Sequence, residues 1–244
     1  MYTTRTAMLV CCLLAAACSR SASNTTAPSG APASSAAAPS AAPAAAAASP
    51  KLARIFTADM LGANLAYLET LTGPAFRSED GTNTYKVDGC TVLVGVSVGK
   101  IANLGVDGYG GACRFNIAQY FAGGYDHLVP DQPTFNDIKI GLGGDFSADC
   151  YRDCGNAAAP VVSLSYEGSH ADNFNELVAS SPVMADPVLG AYSAWSDALV
   201  AKYGETAVAN GKLPDTLGDV AARAFGPLHP TAIRVGQHLI PTPG

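Results

Sequence analysis

From Ser19 to Pro50 the chain is almost wholly Ala, Ser, Pro, Thr and Gly, with no charge after Arg20 and no aromatic ring. Such a stretch cannot bury enough apolar surface to offset the entropy of ordering it. Pro28, Pro32, Pro39, Pro43 and Pro50 also prevent a long helix. Residues 18–50 therefore read as a disordered tether, spanning on the order of 30 Å as a flexible coil. The rival reading is a wall-associated or partner-binding segment. Folding is left to residues 51–244, enough for one domain with its own core or for subdomains 51–121 and 122–244. That region holds twelve basic and twenty acidic residues, a net −8. The balance disfavours nucleic acid and anionic membrane surfaces as partners and permits a cationic protein.

Ahead of the tether lies an export signal. Arg5 supplies a positive start, and Ala7 to Ala17 form an apolar run too short to span a bilayer. Small residues at Ala15 and Ala17 would suit an ordinary signal peptidase. The run Leu14-Ala15-Ala16-Ala17-Cys18 also resembles a bacterial lipobox, with Ala15 where Leu is commonest. The resemblance implies a signal peptide at 1–17 and lipidation of Cys18, an anchor with several acyl chains and therefore stable. Lipoproteins of that kind retained at the inner membrane carry Asp at the next position. Ser19 there implies the outer membrane, with the domain facing the periplasm.

The chain has seven cysteines. Cys11 and Cys12 leave with the signal and Cys18 takes the lipid, so Cys90, Cys113, Cys150 and Cys154 remain. An even number in an oxidising compartment reads as two disulfides, with three possible connectivities. Cys90–Cys113 and Cys150–Cys154 are favoured because each pair falls within one local unit. The alternative is a redox or metal site at Cys150-x-x-x-Cys154. Redox motifs favour two intervening residues, and His170 is the one nearby further ligand.

The periodicity predicts a helix over Ala58 to Leu71, with Leu61, Leu65 and Leu68 on one face and Gly73-Pro74 as its stop. Strand-like runs follow at Asn83 to Asp88, Thr91 to Val98, Ile101 to Val106 and Cys113 to Tyr120, with turn signals at Asp88-Gly89 and Gly99-Lys100. Residues 122–160 look irregular apart from one strand near Ile138 to Leu142. Strands are then expected at Val161 to Tyr166 and Phe174 to Ala179. Helices are expected from Asp186-Pro187 to Tyr203 and from Asp215 to Phe225, with an apolar patch at Ile233 to Ile240. Mixed runs of this kind indicate an α+β fold: an antiparallel sheet meander, an N-terminal helix, C-terminal helices and two disulfides.

Three resemblances bear on function. Leu61-Gly62 through Leu71-Thr72-Gly73-Pro74, followed by a strand meander, resembles small lipoproteins of the BamE/SmpA kind. That likeness covers about Ala58 to Val106 and implies an accessory of outer-membrane assembly. Tyr85 to Cys90, Cys113-Arg114-Phe115, the Cys150 to Ala157 segment and Gly168 to Phe174 resemble an uncharacterised group of proteobacterial envelope proteins. This second likeness supports the disulfide assignment and carries no activity. By context alone, a tethered, disulfide-bonded lipoprotein resembles immunity proteins that neutralise wall-degrading toxins and periplasmic lysozyme inhibitors.

No nucleophile elbow, zincin motif, P-loop or dinucleotide fingerprint is present in the sequence. Ser169-His170 with Asp172 reads as a polar turn, because neighbouring residues point in different directions. The loop Gly143 to Asp149 with Asp153 offers hard oxygen donors for Ca²⁺, but its spacing matches no EF-hand and a turn-and-cap role outweighs that reading. No metal or cofactor is expected. Phe121, Tyr125, Asp126, Phe135 and Asp145 form the candidate partner-binding set: exposed together they would make a protein-binding patch, and buried aromatics would be core. The expectation is a non-enzymatic protein that binds another envelope or toxin protein, as an immunity or inhibitor protein. The alternatives are a BamE-like accessory and a hydrolase with an unrecognised site.

Overall fold

The computed structural model describes residues 50–122, 125, 130, 132–155, 159–184, 186–211 and 213–240. The signal peptide at 1–17, Cys18, the tether up to residue 49, and Asp126, His127 and Asp131 lie outside the described residues.

The strands are β1 Arg77–Glu79, β2 Thr82–Val87, β3 Cys90–Ser97, β4 Lys100–Asp107, β5 Asp145–Ala148, β6 Val161–Glu167, β7 Glu176–Pro182 and β8 Ala232–Gly236. They form one antiparallel sheet in the order β1-β2-β3-β4-β8-β7-β6-β5. The chain meanders from one edge to β4, crosses to the far edge, and returns until β8 closes against β4. The helices are α1 Pro50–Ile55, α2 Leu65–Thr72, α3 Phe135–Gly141, α4 Val188–Tyr203, α5 Glu205–Ala209 and α6 Gly218–Phe225.

Alternation along each strand puts one set of side chains on a single face. The register aligns Tyr85, Val92, Val106, Ile233, Ala179, Leu164 and Phe146 as one row across β2 to β5. A second row runs through Val94, Leu104, Val235 and Leu177. Buried residues from the helices join the same core: Leu52, Ile55, Leu68, Ile138, Trp195, Val208 and Phe225. Trp195 packs edge-on to Tyr151 and Phe225, and its indole N–H donates to the Thr216 carbonyl at 2.6 Å. The opposite face carries Thr84, Lys86, Thr91, Asn103, Arg234, Ser180, Ser163, Ser165 and Glu167, the residues that alternate with the core set.

The cysteines pair as Cys90–Cys113, with Cα atoms 5.4 Å apart, and Cys150–Cys154, with Cα atoms 5.7 Å apart. The first bridge holds the loop after β4 against the sheet, where Phe115 stacks on Phe56 with ring centroids 4.0 Å apart.

Several elements differ from expectation. The helix over Ala58 to Leu71 is split into a 3₁₀ turn, Ala58–Met60, and α2. Gly62 adopts φ +82° between them, and the residues there bond to the β3–β4 hairpin through Gly62 N–H to the Ile101 carbonyl and Leu65 N–H to the Gly99 carbonyl. Cys113 to Tyr120 is not a strand, because β8 already occupies the free edge of β4. Its alternation instead places Phe115 and Ile117 in the core. Ile138 to Leu142 falls in α3, opened by a capping box in which the Asp137 N–H donates to the Thr134 hydroxyl at 3.1 Å and the Thr134 N–H to the Asp137 carboxylate at 2.8 Å. The β3–β4 turn centres on Val98 and Gly99, not on Gly99-Lys100, since Ser97 pairs with Lys100. The strand expected from Phe174 begins at Glu176, because Asn173 and Phe174 are both left-handed, at φ +55°.

Candidate functional site

The β3–β4 turn, the end of β8 and the start of β7 meet at one end of the sheet, since Gly236 pairs with both Asn103 and Glu176. A cleft of about 630 Å³ opens there, lined by Leu61, Lys100, Tyr120, Phe121, Asn173 and Gln237 among others. Polar ties set its walls. The Asn175 amide donates to the Tyr120 carbonyl at 2.9 Å, and the Gln237 amide to the Asn173 carbonyl at 3.2 Å. The Gln237 N–H donates to the Ala102 carbonyl at 2.8 Å. Behind the wall, Asp172 is 4 % exposed. Its carboxylate accepts from the Ala122 N–H at 2.7 Å, the Tyr166 hydroxyl at 2.9 Å and the Ser169 N–H at 3.2 Å. Burial raises the Asp172 carboxyl, but these hydrogen bonds outweigh it and hold the group below the ordinary carboxylate value. Burial, with Asp172 as hydrogen-bond partner and neighbouring charge, pushes Tyr166 up to about 12. Among the described residues the Tyr120 hydroxyl is sealed without a hydrogen-bond partner, and burial pushes its pKa upward as well.

Two apolar side chains stand on the loops that supply this cleft. Val98 lies between the cleft-lining Ser97 and Lys100 and is 99 % exposed. Its φ of +50° is a backbone state that a β-branched residue rarely adopts. Phe174 lies between the cleft-lining Asn173 and Asn175, is 59 % exposed, and meets the His170 ring edge-on at 5.4 Å. Both belong to turns that hold an apolar group in water at a conformational cost.

The expected partner-binding set does not come together as one exposed patch. Phe135 is fully buried among Phe146 and Phe225, with centroids 5.8 Å and 6.5 Å away. Phe121 is buried edge-on to Tyr166 and forms part of the cleft wall. Tyr125 packs half-buried against the core, and Asp126 lies outside the described residues. Asp145 is exposed on β5, in a groove on the polar face of the sheet. Asp149 accepts the Val161 N–H at 2.8 Å, and among the described residues no three His, Cys, Asp or Glu side chains converge. Ser169 donates its hydroxyl to Asp172 in a capping box, while the His170 ring lies against Phe174. The strand-like run Thr91 to Val98 ends on Val98, which hides the residue's role as a turn position. The Gly99 beside it was the signal for a two-residue turn.

The tail leaves β8 through His238, at φ +60°, and crosses the polar face. There the Leu239 and Ile240 N–H groups donate to the Glu176 carboxylate at 2.5 Å and 2.8 Å. Among the described residues no helix is long and apolar enough to cross a membrane. Comparison with protein-family models, curated proteins and solved structures gives no match.

Proposed function

We propose that this chain is a lipid-anchored envelope protein whose domain binds and inhibits another envelope protein, in the manner of an immunity or inhibitor protein. The observation that carries the reading is Val98: a fully exposed apolar side chain, held in a costly backbone state at a hairpin tip beside a cleft. A strained, protruding apolar residue has no role in the stability of the free domain. A partner that buries it recovers the hydrophobic contribution of the side chain. A hairpin tip is convex and suits a concave target such as the substrate cleft of a secreted hydrolase. Phe174 adds a second contact, and the net charge of −8 after residue 50 favours a cationic target. Under this reading Cys18 carries the lipid and the tether up to residue 49 sets the reach. A second reading, an accessory of outer-membrane assembly, rests on α2 followed by the β1–β4 meander, and predicts a permeability defect on deletion.

The full chain, mixed with the purified products of its neighbouring genes, tests the first reading by calorimetric titration. A complex is expected, with affinity falling as salt rises. Val98→Asn should weaken it at least tenfold while stabilising the free domain by about 1 kcal/mol, because Asn tolerates the left-handed state. Absence of any complex, or an affinity indifferent to Val98→Asn, overturns the proposal.

A further inference from the structure

A guanidinium does not lose its proton in a protein, so even a half-buried one such as Arg234 favours a partner of opposite charge or a full set of acceptors. Arg234 sits on β8 between the core residues Ile233 and Val235, so alternation sends its side chain to the polar face. The sheet is shaped to receive it. Across the ladder on β4 lies Gly105, where a Cβ would stand 2.4 Å from the Arg234 Cγ. On β3, a Cβ at Gly95 would stand 2.3 Å from the Asn103 Oδ1. Asn103 and Arg234 thus lie flat over positions that have only backbone.

Asn103 is 4 % exposed, and its Nδ2 donates to the Gln237 carbonyl at 2.9 Å. That bond turns its Oδ1 toward Arg234, which it accepts from at 2.6 Å. The guanidinium is therefore oriented but not neutralised. Its Nε–H has no partner, and Arg234 takes part in no ion pair among the described residues. Glu176, beside Gly236 on β7, is already engaged by the tail N–H groups of Leu239 and Ile240. A cavity of about 360 Å³ opens beside these groups, lined by Thr82, Gly95, Asn103, Arg234 and His238, with Asp80 at the same cavity.

We propose that this cavity binds a small monoanionic carboxylate, held by the terminal Nη N–H donors of Arg234 that Asn103 leaves free. A planar two-oxygen anion matches a planar fork of N–H donors. One cation in a cavity that Asp80 also lines suits a single negative charge better than a doubly charged phosphate. The site adjoins the end cleft, with Ser97, Ala102 and His238 lining both, but its chemistry does not depend on the inhibitor reading.

Nuclear magnetic resonance on the full chain tests this, following the Arg234 Nε–H signal. The probes are N-acetylglycine, its neutral analogue N-acetylglycinamide, and inorganic phosphate. N-acetylglycine should shift the signal saturably and the amide should not. Arg234→Lys should lower the affinity at least tenfold, because an ammonium cannot offer the fork. Asp80→Asn should raise it about threefold by removing a like charge. An equal response to acid and amide, no response to the acid, or a preference for phosphate overturns the assignment, as does acid binding unchanged in Arg234→Lys. If Arg234→Lys does not fold, the comparison of acid and amide on the unmutated chain decides.

Discussion

Asp172 concentrates the polar energetics of the domain in one residue. It sits in a 3₁₀ turn, His170–Asp172, and ties that turn to Ala122, Tyr166 and Ser169. Because its native carboxyl lies below the ordinary value, it contributes stability wherever the unfolded chain is ionised, above about pH 4. That contribution disappears as the pH falls through the native value. Urea midpoints of the unmutated chain should therefore drop on the acid side of about pH 4. Asp172→Asn should cost about 1–3 kcal/mol at pH 7, since it leaves buried donors short of an acceptor, and should flatten the acid limb of the profile. An unaltered acid limb in the variant would assign the pH dependence to other carboxylates. At this scale, residue types were readable but their surroundings were not. Phe121 and Phe135 are apolar by composition, and whether such a ring faces solvent or core depends on chain segments far away in sequence.

At the scale of elements, local chemistry and tertiary pairing divide the outcome. The strands β2, β3 and β4 follow the alternation of Val92, Val94 and the Asp88-Gly89 turn, whose residues take φ +50° and +85°. Helix α4 spans Val188–Tyr203, as the spacing of its apolar positions requires. Helix α3 illustrates a local signal overlooked. Thr134 with Asp137 three residues on is a start signature, and it outweighs the strand-like look of Ile138 to Leu142. Thr134→Ala should cost about 1 kcal/mol, read as a lowered denaturation midpoint, because it removes the acceptor for the Asp137 N–H. No loss would mean that the packing of Phe135 and Ile138 alone sets this helix. The split of the expected Ala58 to Leu71 helix has the other kind of cause. Its middle is drawn into hydrogen bonds with a hairpin some forty residues later, a contact that local periodicity does not encode.

For the whole molecule the decisive contact is the ladder between β4 and β8, which pairs Asn103 to Asp107 with Gly236 to Ala232. It joins two meanders into one sheet and their apolar rows into one core. Unfolding should therefore be a single transition. The Cys90–Cys113 bridge, with a sequence separation of 23, should contribute about 3 kcal/mol by restricting the unfolded chain. Cys113→Ala should shift the unfolding of the first meander and that of Trp195 together, although the single Trp lies in the other half. Tryptophan fluorescence and far-ultraviolet circular dichroism in urea would check this. A Trp195 transition left in place while the dichroism transition moves would mean that the halves unfold separately.

The α+β class, the antiparallel pairing of β2 to β4, the main C-terminal helices and the number of disulfides were legible in the residues alone. Each follows from periodicity, turn chemistry or cysteine parity within a short window. That β8 takes the edge of β4, leaving Cys113 to Tyr120 without a strand partner, follows from the three-dimensional packing alone. The same packing leaves Val98 exposed beside a cleft and lays Arg234 over Gly105 with no ion-pair partner among the described residues. Those outcomes depend on which distant segments compete for one strand edge or one face. That competition is settled by the packing of the whole chain, which no local window contains.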